Sequence, residues 1–207
     1  IHSEQLEGTS DKINKLLGEL DGVLVAPGFG DRGIEGKLNA IRYVREKKIP
    51  FFGICLGMQC AVVEFCQNAV GLEDANSAEV NPEAEHPVID LMEDQKNITD
   101  KGGTMRLGAY LCELKRGSKA AKAYKAIKIS ERHRHRYEFN NKYTEAIEDN
   151  GLIITGRNPD TNLVEIVELK NHPFYVAVQF HPELKSTVEA PHPLFVAFVD
   201  ACMKKEN

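Results

Sequence analysis

The sequence predicts an α/β fold in which an open, mixed and largely parallel sheet is flanked by helices. Short β-branched runs alternate with amphipathic segments in the first half of the chain, which is typical of this class. In the second half, runs with strand character outnumber the helical segments. Hydrophobic residues make up 42% of the 207 positions, enough for one sizeable core. We therefore expect residues 1–207 to form a single domain.

The first half of the chain predicts two buried strands, each followed by a helix. Residues 22–26 (GVLVA) read as the first strand, and apolar residues then recur at helical spacing over residues 34–44. Residues 49–54 (IPFFGI) read as the second strand, which leads into a helix that begins near Leu56. A loop rich in proline and acidic residues is expected over residues 71–87.

The second half predicts a series of strands closed by one helix. Strand candidates lie at residues 88–92, 105–114, 127–131, 152–155, 163–169 and 174–180. A polar loop is expected to run through Lys101, between the first two of these strands. The closing helix is predicted from Pro193 to Lys204, where Leu194, Phe198 and Ala201 share one face.

Charge and cysteine content argue against several classes of protein. A net charge of -5 offers no basic surface for nucleic acid or for an anionic membrane. The five cysteines are odd in number and irregularly spaced, so we expect no disulfide framework, no metal site and a reducing cytoplasm. No apolar run approaches the roughly 18 to 20 residues that cross a bilayer. Because the chain begins with Ile1 rather than Met, we expect a fragment of a longer polypeptide.

The segment from Gly53 to Gly57 carries the strongest chemical signal. Cys55 lies between two glycines at a strand-to-helix junction, which is the cysteine form of a nucleophile elbow. The glycines remove side chains that would collide with neighbouring backbone, and the helix dipole is expected to favour the thiolate. The Leu56 N–H is expected to point into the site as an oxyanion donor. The remaining cysteines are expected to be small buried residues without a chemical role: Cys60, Cys66, Cys112 and Cys202.

A thiol nucleophile needs a proton acceptor, and His181 is the best placed of the seven histidines. It follows the strand predicted over residues 174–180, at the sheet edge where ligands bind in doubly wound folds. Glu183 comes after one rigid proline and can orient the imidazole. Four further histidines are expected at the surface or in turns: His2, His86, His172 and His192.

Two other motifs suggest a ligand. His133 and His135 lie in the run RHRHR over residues 132–136, which can indicate phosphate, nucleic acid or metal binding. The acidic total and the lack of further clustered ligands argue against metal and nucleic acid, so we expect a polar loop facing the site. Residues 28–33 match GxGxxG, but the next strand ends in Cys55 rather than an acidic residue, which excludes a dinucleotide site. Gly28 is instead expected to supply the second oxyanion donor.

These motifs resemble the glutaminase domains of CTP synthases, which are class I glutamine amidotransferases. The resemblance covers nearly the whole chain, and NSAEV, GGTMRLG and RHRHRYEFNN are specific to this family, whereas PGFG, GICLGMQ and HPE mark class I amidotransferases broadly. The matching segments are VLVAPGFGDRGIEGK (23–37), PFFGICLGMQ (50–59), NSAEV (76–80), GGTMRLG (102–108), ERHRHRYEFNN (131–141), QFHPE (179–183) and HPLF (192–195).

The resemblance implies the flavodoxin-like class I amidotransferase fold, with its first strand–helix unit missing from this chain. It implies hydrolysis of L-glutamine through a thioester, with Cys55, His181 and Glu183 as the catalytic triad and Gly28 and Leu56 as the oxyanion hole. The implied glutamine-binding residues are Gly28, Phe29, Leu56, Gly57, Met58, Gln59, Glu79 and Arg136. Relatives often read PGGFG, whereas Pro27 stands here before Gly28 and has no N–H to donate.

The resemblance also implies what the complete protein does. Ammonia from glutamine would aminate UTP to CTP in an ATP-driven step of pyrimidine nucleotide biosynthesis. The ATP, UTP and magnesium sites belong to an N-terminal synthetase domain that this chain lacks, so no cofactor is expected in this domain. GTP activates this family, and residues 102–108 belong to a lid linked to that activation. The full-length enzyme is expected to be a homo-oligomer.

Two other functions fit the same elbow. One is a hydrolase such as a gamma-glutamyl hydrolase or a cysteine peptidase relative, which an assay of glutamine against gamma-glutamyl peptides would distinguish. The other is a regulatory module that keeps the fold without turnover. The presence of Cys55, His181 and Glu183 together argues against that second alternative.

Overall fold

The computed structural model describes residues 1–91 and 105–204, which form ten strands and six α-helices. The strands are β1 (Val23–Val25), β2 (Phe51–Ile54), β3 (Ala75–Ser77), β4 (His86–Leu91), β5 (Arg106–Leu114), β6 (Lys128–His135), β7 (Tyr137–Phe139), β8 (Leu152–Arg157), β9 (Val164–Leu169) and β10 (Tyr175–Val178). The α-helices are α1 (Ser10–Leu17), α2 (Ile34–Lys47), α3 (Leu56–Phe65), α4 (Lys119–Tyr124), α5 (Thr144–Asp149) and α6 (Pro193–Met203). Single turns of other helix types lie at Ser3–Leu6, Cys66–Val70, Asn141–Tyr143 and Pro182–Lys185.

Seven strands form one mixed sheet in the order β1-β2-β10-β9-β8-β5-β6. The pairs β1–β2 and β2–β10 are parallel, and the four remaining neighbour pairs are antiparallel. The crossover through α2 allows β1 and β2 to run in parallel, whereas the short connections among β8, β9 and β10 permit only hairpins. The predicted mixed α/β fold is confirmed, and its parallel part is confined to three strands.

The sheet is buried on both faces where β2 and β10 pair. Phe51 and Ala177 pack into a core with α2 and α3, whereas Phe52 and Val178 pack into a second core with α4 and α6. Because successive side chains of a strand point to opposite faces, these strands read as continuous apolar runs. The carboxyl ends of β2 and β10 therefore lie side by side in a rigid, two-sided core.

Three strands form a smaller sheet in the order β3-β4-β7. The pair β3–β4 is parallel and β4–β7 is antiparallel. Strand β3 lies within the segment 71–87 that was expected to be a loop. It ends two residues before Glu79, and β7 begins one residue after Arg136. Since both strands pair with β4, the small sheet holds these two sequence-distant residues on one support.

The structure corrects the prediction for the RHRHR run. Residues 132–135 lie in β6 rather than in a loop, and the strand extends beyond the predicted 127–131. Arg132 and Arg134 are exposed, whereas His133 and His135 are buried. The alternation of two residue types is therefore the period-two pattern of a strand with one solvated face.

Other differences concern the ends of the chain and the sheet edge. Helix α1 was not predicted, and its Ile13 and Leu17 pack with Ala40 of α2. Strand β1 was predicted to be buried, yet Leu24 is 39% exposed because β1 is the last strand of the described sheet. Residue 92, the polar loop through Lys101 and positions 102–104 of the predicted lid lie outside the described residues.

Candidate active site

Cys55 occupies the turn between β2 and α3 in a conformation that non-glycine residues rarely adopt. Its φ is 51° and its ψ is -103°. A Cβ atom on Gly53 would lie 2.9 Å from the carbonyl carbon and oxygen of Gly57, and a Cβ atom on Gly57 would collide with the carbonyl oxygen of Val25. The expected reason for the two flanking glycines, avoidance of backbone collisions, is confirmed.

The Cys55 thiol is buried, and burial raises its pKa to about 12. A hydrogen bond from the Leu56 backbone N–H lowers the pKa, while the carboxylates of Glu183, Glu138 and Glu79 raise it further. The expectation that the helix dipole favours the thiolate is therefore wrong for the ligand-free protein, because desolvation outweighs the dipole. The sulfur rests as a neutral thiol.

His181 and Glu183 form a close pair just beyond β10. The Nδ1 atom of His181 lies 2.6 Å from Oε1 of Glu183. The other ring nitrogen, Nε2, is buried and has no hydrogen-bond partner in the described part of the chain. Since a carboxylate can only accept, Nδ1 carries the proton and Nε2 presents a lone pair. This tautomer is the one that a general base requires.

The turn that carries Glu183 is tied to β6 from both ends. The His181 backbone N–H donates to the Arg132 carbonyl at 2.8 Å. At the end of the turn, Lys185 Nζ donates to the Ser130 carbonyl at 2.7 Å and lies 3.1 Å from Oε1 of Glu131. The His181–Glu183 pair is therefore positioned by an element remote from the cysteine turn.

Strand pairing brings the cysteine and histidine segments together. Ile54 of β2 pairs with Val178 of β10, and the Cys55 N–H donates to the Val178 carbonyl at 2.7 Å. Gln179 Nε2 lies 3.7 Å from Cys55 Sγ. No hydrogen bond in the described residues joins that sulfur directly to His181. The imidazole follows the strand next to the sulfur and keeps Nε2 free.

A small pocket opens beside the sulfur, and six of its lining residues are among the predicted ones. The lining consists of Gly28, Phe29, Cys55, Gln59, Glu79, His135, Arg136 and Tyr137. Leu56 contributes its N–H at the sulfur rather than a pocket wall. Gly57 and Met58, both predicted to bind glutamine, are buried and lie outside this lining, with Met58 in the main core.

The polar lining residues are held by contacts from distant segments. Gln59 Nε2 donates to the Tyr137 carbonyl at 3.0 Å and to Gln179 Oε1 at 3.2 Å. The Glu79 N–H donates to Ser77 Oγ at 3.2 Å. The pocket therefore combines a carboxylate, a guanidinium and an amide on a braced framework, the set of groups that would suit a zwitterionic amino acid.

The aromatic ring of Phe29 forms the outer rim of the pocket. It is 51% exposed, and the Arg134 guanidinium lies 5.7 Å from its centroid. Gly28, the preceding residue, is half-buried, and a Cβ atom there would lie 3.1 Å from Cδ2 of Leu56. The two predicted oxyanion donors, the amides of Gly28 and Leu56, therefore belong to neighbouring segments.

A buried polar network beneath the pocket was not predicted. Arg106 Nη2 donates to Glu165 Oε1 at 2.7 Å, and His133 Nε2 lies 2.6 Å from the other oxygen of Glu165. Arg106 also donates to Glu138 at 3.4 Å. Burial raises the pKa of Glu138 to about 8, although Arg106 opposes the shift. The only sequence signal for this network is the period-two RHRHR pattern.

Several expectations about the remaining histidines and cysteines can now be compared with the structure. His172 and His192 are buried, at 5% and 3% exposure, so their predicted surface placement is wrong. His192 caps α6 and contacts Glu131, and His172 contacts the Val44 carbonyl. All five cysteines are free. The described residues contain no three-residue group suited to a metal, and none of their helices is long and apolar enough to span a membrane.

Sequence comparisons connect this site with known enzymes. The family model for class-I glutamine amidotransferases matches residues 3–201. The chain is 64% identical to the CTP synthase of Cytophaga hutchinsonii over 97% of its length, and 62% identical to that of Flavobacterium johnsoniae over 98%. In both cases the matched region is 37% of the relative, so the chain spans little more than a third of these curated proteins.

Solved structures give the same picture. A Trypanosoma brucei CTPS glutaminase domain with bound acivicin is 42% identical and superposes with a TM-score of 0.92, covering 100% of this chain and 80% of that one. A glutamine amidotransferase from Thermotoga maritima is 16% identical with a TM-score of 0.53, covering 81% and 58% of the two chains. The second likeness shows a common fold.

Proposed function

The chain belongs to the class-I glutamine amidotransferase family, among the glutaminase domains of CTP synthases, and on that premise we propose that residues 1–207 are one domain that hydrolyses L-glutamine. The observation that carries this proposal is the arrangement at the sheet edge. A strained Cys55 and an oriented His181 stand at the ends of two adjacent parallel strands, beside a polar pocket.

The first chemical step is attack by sulfur on the glutamine carboxamide. Because the thiol pKa is about 12, Cys55 loses its proton only as the carbon–sulfur bond forms. His181 Nε2 is the acceptor for that proton, since this nitrogen is unpartnered and Glu183 holds the proton on Nδ1. The backbone amides of Leu56 and Gly28 stabilise the oxyanion.

The second half of the reaction uses the same groups in reverse. The imidazolium of His181 gives its proton to the departing amine, so ammonia leaves and a thioester remains on Cys55. Water, deprotonated by His181, then attacks the thioester and releases glutamate. The proton returns to the sulfur through the same imidazole, which restores the starting state.

Charge complementarity orients the substrate. The Glu79 carboxylate and the Arg136 guanidinium line the pocket beside Cys55 and match the ammonium and carboxylate of an amino acid. Gln59 and the rim residue Phe29 complete the binding surface, and Gly57 and Met58 support it from the core. These assignments extend the motif resemblance to this pocket.

The complete protein, we propose, is a cytoplasmic CTP synthase. Its N-terminal synthetase domain would bind ATP, UTP and magnesium and use the ammonia made here to aminate UTP, with GTP as activator. The support is the 64% identity to a CTP synthase of which this chain covers 37%. We expect the full-length enzyme to be a homo-oligomer and the domain alone to make no CTP.

A Cys55→Ala variant of the full-length enzyme tests the glutaminase proposal. Glutamate release should fall by at least about 10³-fold, since the nucleophile is removed. Cys60→Ala is the matched control because Cys60 is buried on α3 without a role in the pocket. A glutamine-like diazo ketone should label the Cys55 peptide in the parent and the control. Undiminished turnover by Cys55→Ala, or turnover of gamma-glutamyl peptides instead of glutamine, would refute the proposal.

A further inference from the structure

His135 lines the pocket but has no place in the reaction described so far. It is 2% exposed and shares the lining with Cys55, Gln59 and Glu79. Its Nδ1 atom lies 3.2 Å from the Tyr137 carbonyl oxygen, whereas its Nε2 atom is buried without a hydrogen-bond partner in the described residues. One ring nitrogen is thus satisfied and the other is open.

An open buried nitrogen is costly, at about 1–3 kcal/mol, and native structures contain few of them. His133, two residues earlier on β6, shows how the same strand satisfies an imidazole. Its Nδ1 lies 3.0 Å from the Glu131 carbonyl and its Nε2 lies 2.6 Å from Glu165. The fold therefore pairs both nitrogens of the histidine outside the pocket lining and leaves open the one in the lining.

The protonation state of His135 defines what can bind to it. A carbonyl oxygen only accepts, so the bond to Tyr137 requires the proton on Nδ1. Burial lowers the pKa of His135 well below its ordinary value, and the nearby His133 and Arg106 lower it further. The ring is neutral at physiological pH, and Nε2 presents a lone pair. Only a donor, an N–H or O–H group, can satisfy it.

We propose that His135 Nε2 accepts a hydrogen bond from an N–H group of bound glutamine and helps to select this substrate. The inference rests on the proposed glutaminase function. Glutamine has two such groups, the α-ammonium and the side-chain carboxamide, and both enter a pocket bounded by Glu79, Arg136 and Cys55. The remaining polar ends of the substrate match other residues, whereas an N–H matches this nitrogen.

Three variants of the full-length enzyme isolate the contact. His135→Phe removes the acceptor and keeps a planar ring, and His135→Gln retains an acceptor oxygen. His172→Phe is the matched control, because His172 is also a buried histidine with one unpartnered nitrogen but lies away from the pocket lining. Steady-state glutamine hydrolysis gives kcat and KM for each, and thermal unfolding checks that each is folded.

We expect His135→Phe to lower kcat/KM for glutamine by roughly 10- to 100-fold, the loss of one buried hydrogen bond to substrate. His135→Gln should recover part of the loss, and His172→Phe should keep the parent value. An analogue of glutamine without the α-amino group separates the two donors. If the ammonium is the donor, His135→Phe and the parent handle the analogue equally. If the carboxamide is the donor, the difference persists.

A kcat/KM for His135→Phe that matches the control would overturn the proposal. A purely structural role would lower the unfolding temperature and leave KM unchanged, which also overturns it. Should both His135 variants fail to fold, ¹⁵N NMR of histidine in the Cys55→Ala enzyme replaces them, and no change at Nε2 of His135 on adding glutamine is the negative result. Failure of the glutaminase function itself would appear separately, as a parent enzyme that does not hydrolyse glutamine.

Discussion

At the scale of single residues, Cys55 shows how a local motif and a global environment can oppose each other. The glycine-flanked turn and the Leu56 N–H favour a reactive sulfur, but burial and three carboxylates raise the thiol pKa to about 12. The net result is a thiol that is neutral until a substrate and His181 act on it. Such a site is protected from indiscriminate alkylation and oxidation.

The pH dependence of alkylation tests this state. Because the thiolate fraction below the pKa grows tenfold per pH unit, the rate of Cys55 labelling by iodoacetamide should rise about tenfold per unit between pH 7 and pH 10 without levelling off. Mass mapping of the Cys55 peptide gives the rate. The same peptide in urea should level off near the ordinary pKa of a thiol. A plateau by pH 8 in the folded protein would contradict the prediction.

At the scale of elements, helix α2 is fixed to α3 by a buried ion pair. Arg45 Nη2 lies 2.8 Å from Glu64 Oε1, and the Glu64 side chain is fully buried. Burial raises the pKa of Glu64, and Arg45 opposes the shift. Since α3 begins at the nucleophile, this pair also anchors the helix that carries the proposed oxyanion donor.

Arg45→Ala should therefore destabilise the protein by about 3 kcal/mol, because it leaves a buried carboxylate unpaired. Arg42→Ala on the same helix is the matched control. Its partner Glu46 is 48% exposed, and the pair is expected to contribute less than about 0.5 kcal/mol. Urea denaturation of the two variants measures the difference. Equal losses would show that Glu64 is not dependent on Arg45.

At the scale of the whole molecule, the parallel and antiparallel parts of the sheet share strands and cores. Strand β10 pairs with β2 in parallel and with β9 in antiparallel fashion. Tyr175 and Ile154, from opposite parts of the sheet, lie in one core, and Val178 and Ile166 lie in the other. A sheet that is continuous through two cores is expected to unfold as one unit.

Two optical probes test that expectation for residues 1–207. The chain has six tyrosines and no tryptophan, so tyrosine fluorescence reports on tertiary packing and far-UV circular dichroism on secondary structure. Their urea transitions should coincide, with the same midpoint and slope. Two separate midpoints would indicate that the chain comprises independent units rather than the single domain we propose.

The sequence by itself was sufficient for the α/β class, for the cysteine turn and for the histidine that follows β10. These features depend on local rules: a strained turn needs small neighbours at Gly53 and Gly57, and a strand needs a continuous or alternating apolar pattern. Strand β6 was misjudged because the RHRHR run is polar in composition, although its alternation of buried and exposed side chains is the pattern of a strand.

Tertiary structure alone decided the protonation of Cys55, the open nitrogen of His135 and the network around Arg106. Each depends on groups far apart in the chain: Gln179 meets Cys55 across 124 positions, and Gln59 meets the Tyr137 carbonyl across 78. Desolvation and hydrogen-bond satisfaction are properties of the packed interior, since they depend on which distant atoms replace water. A residue pattern can name the nucleophile, but only the surrounding atoms set its pKa.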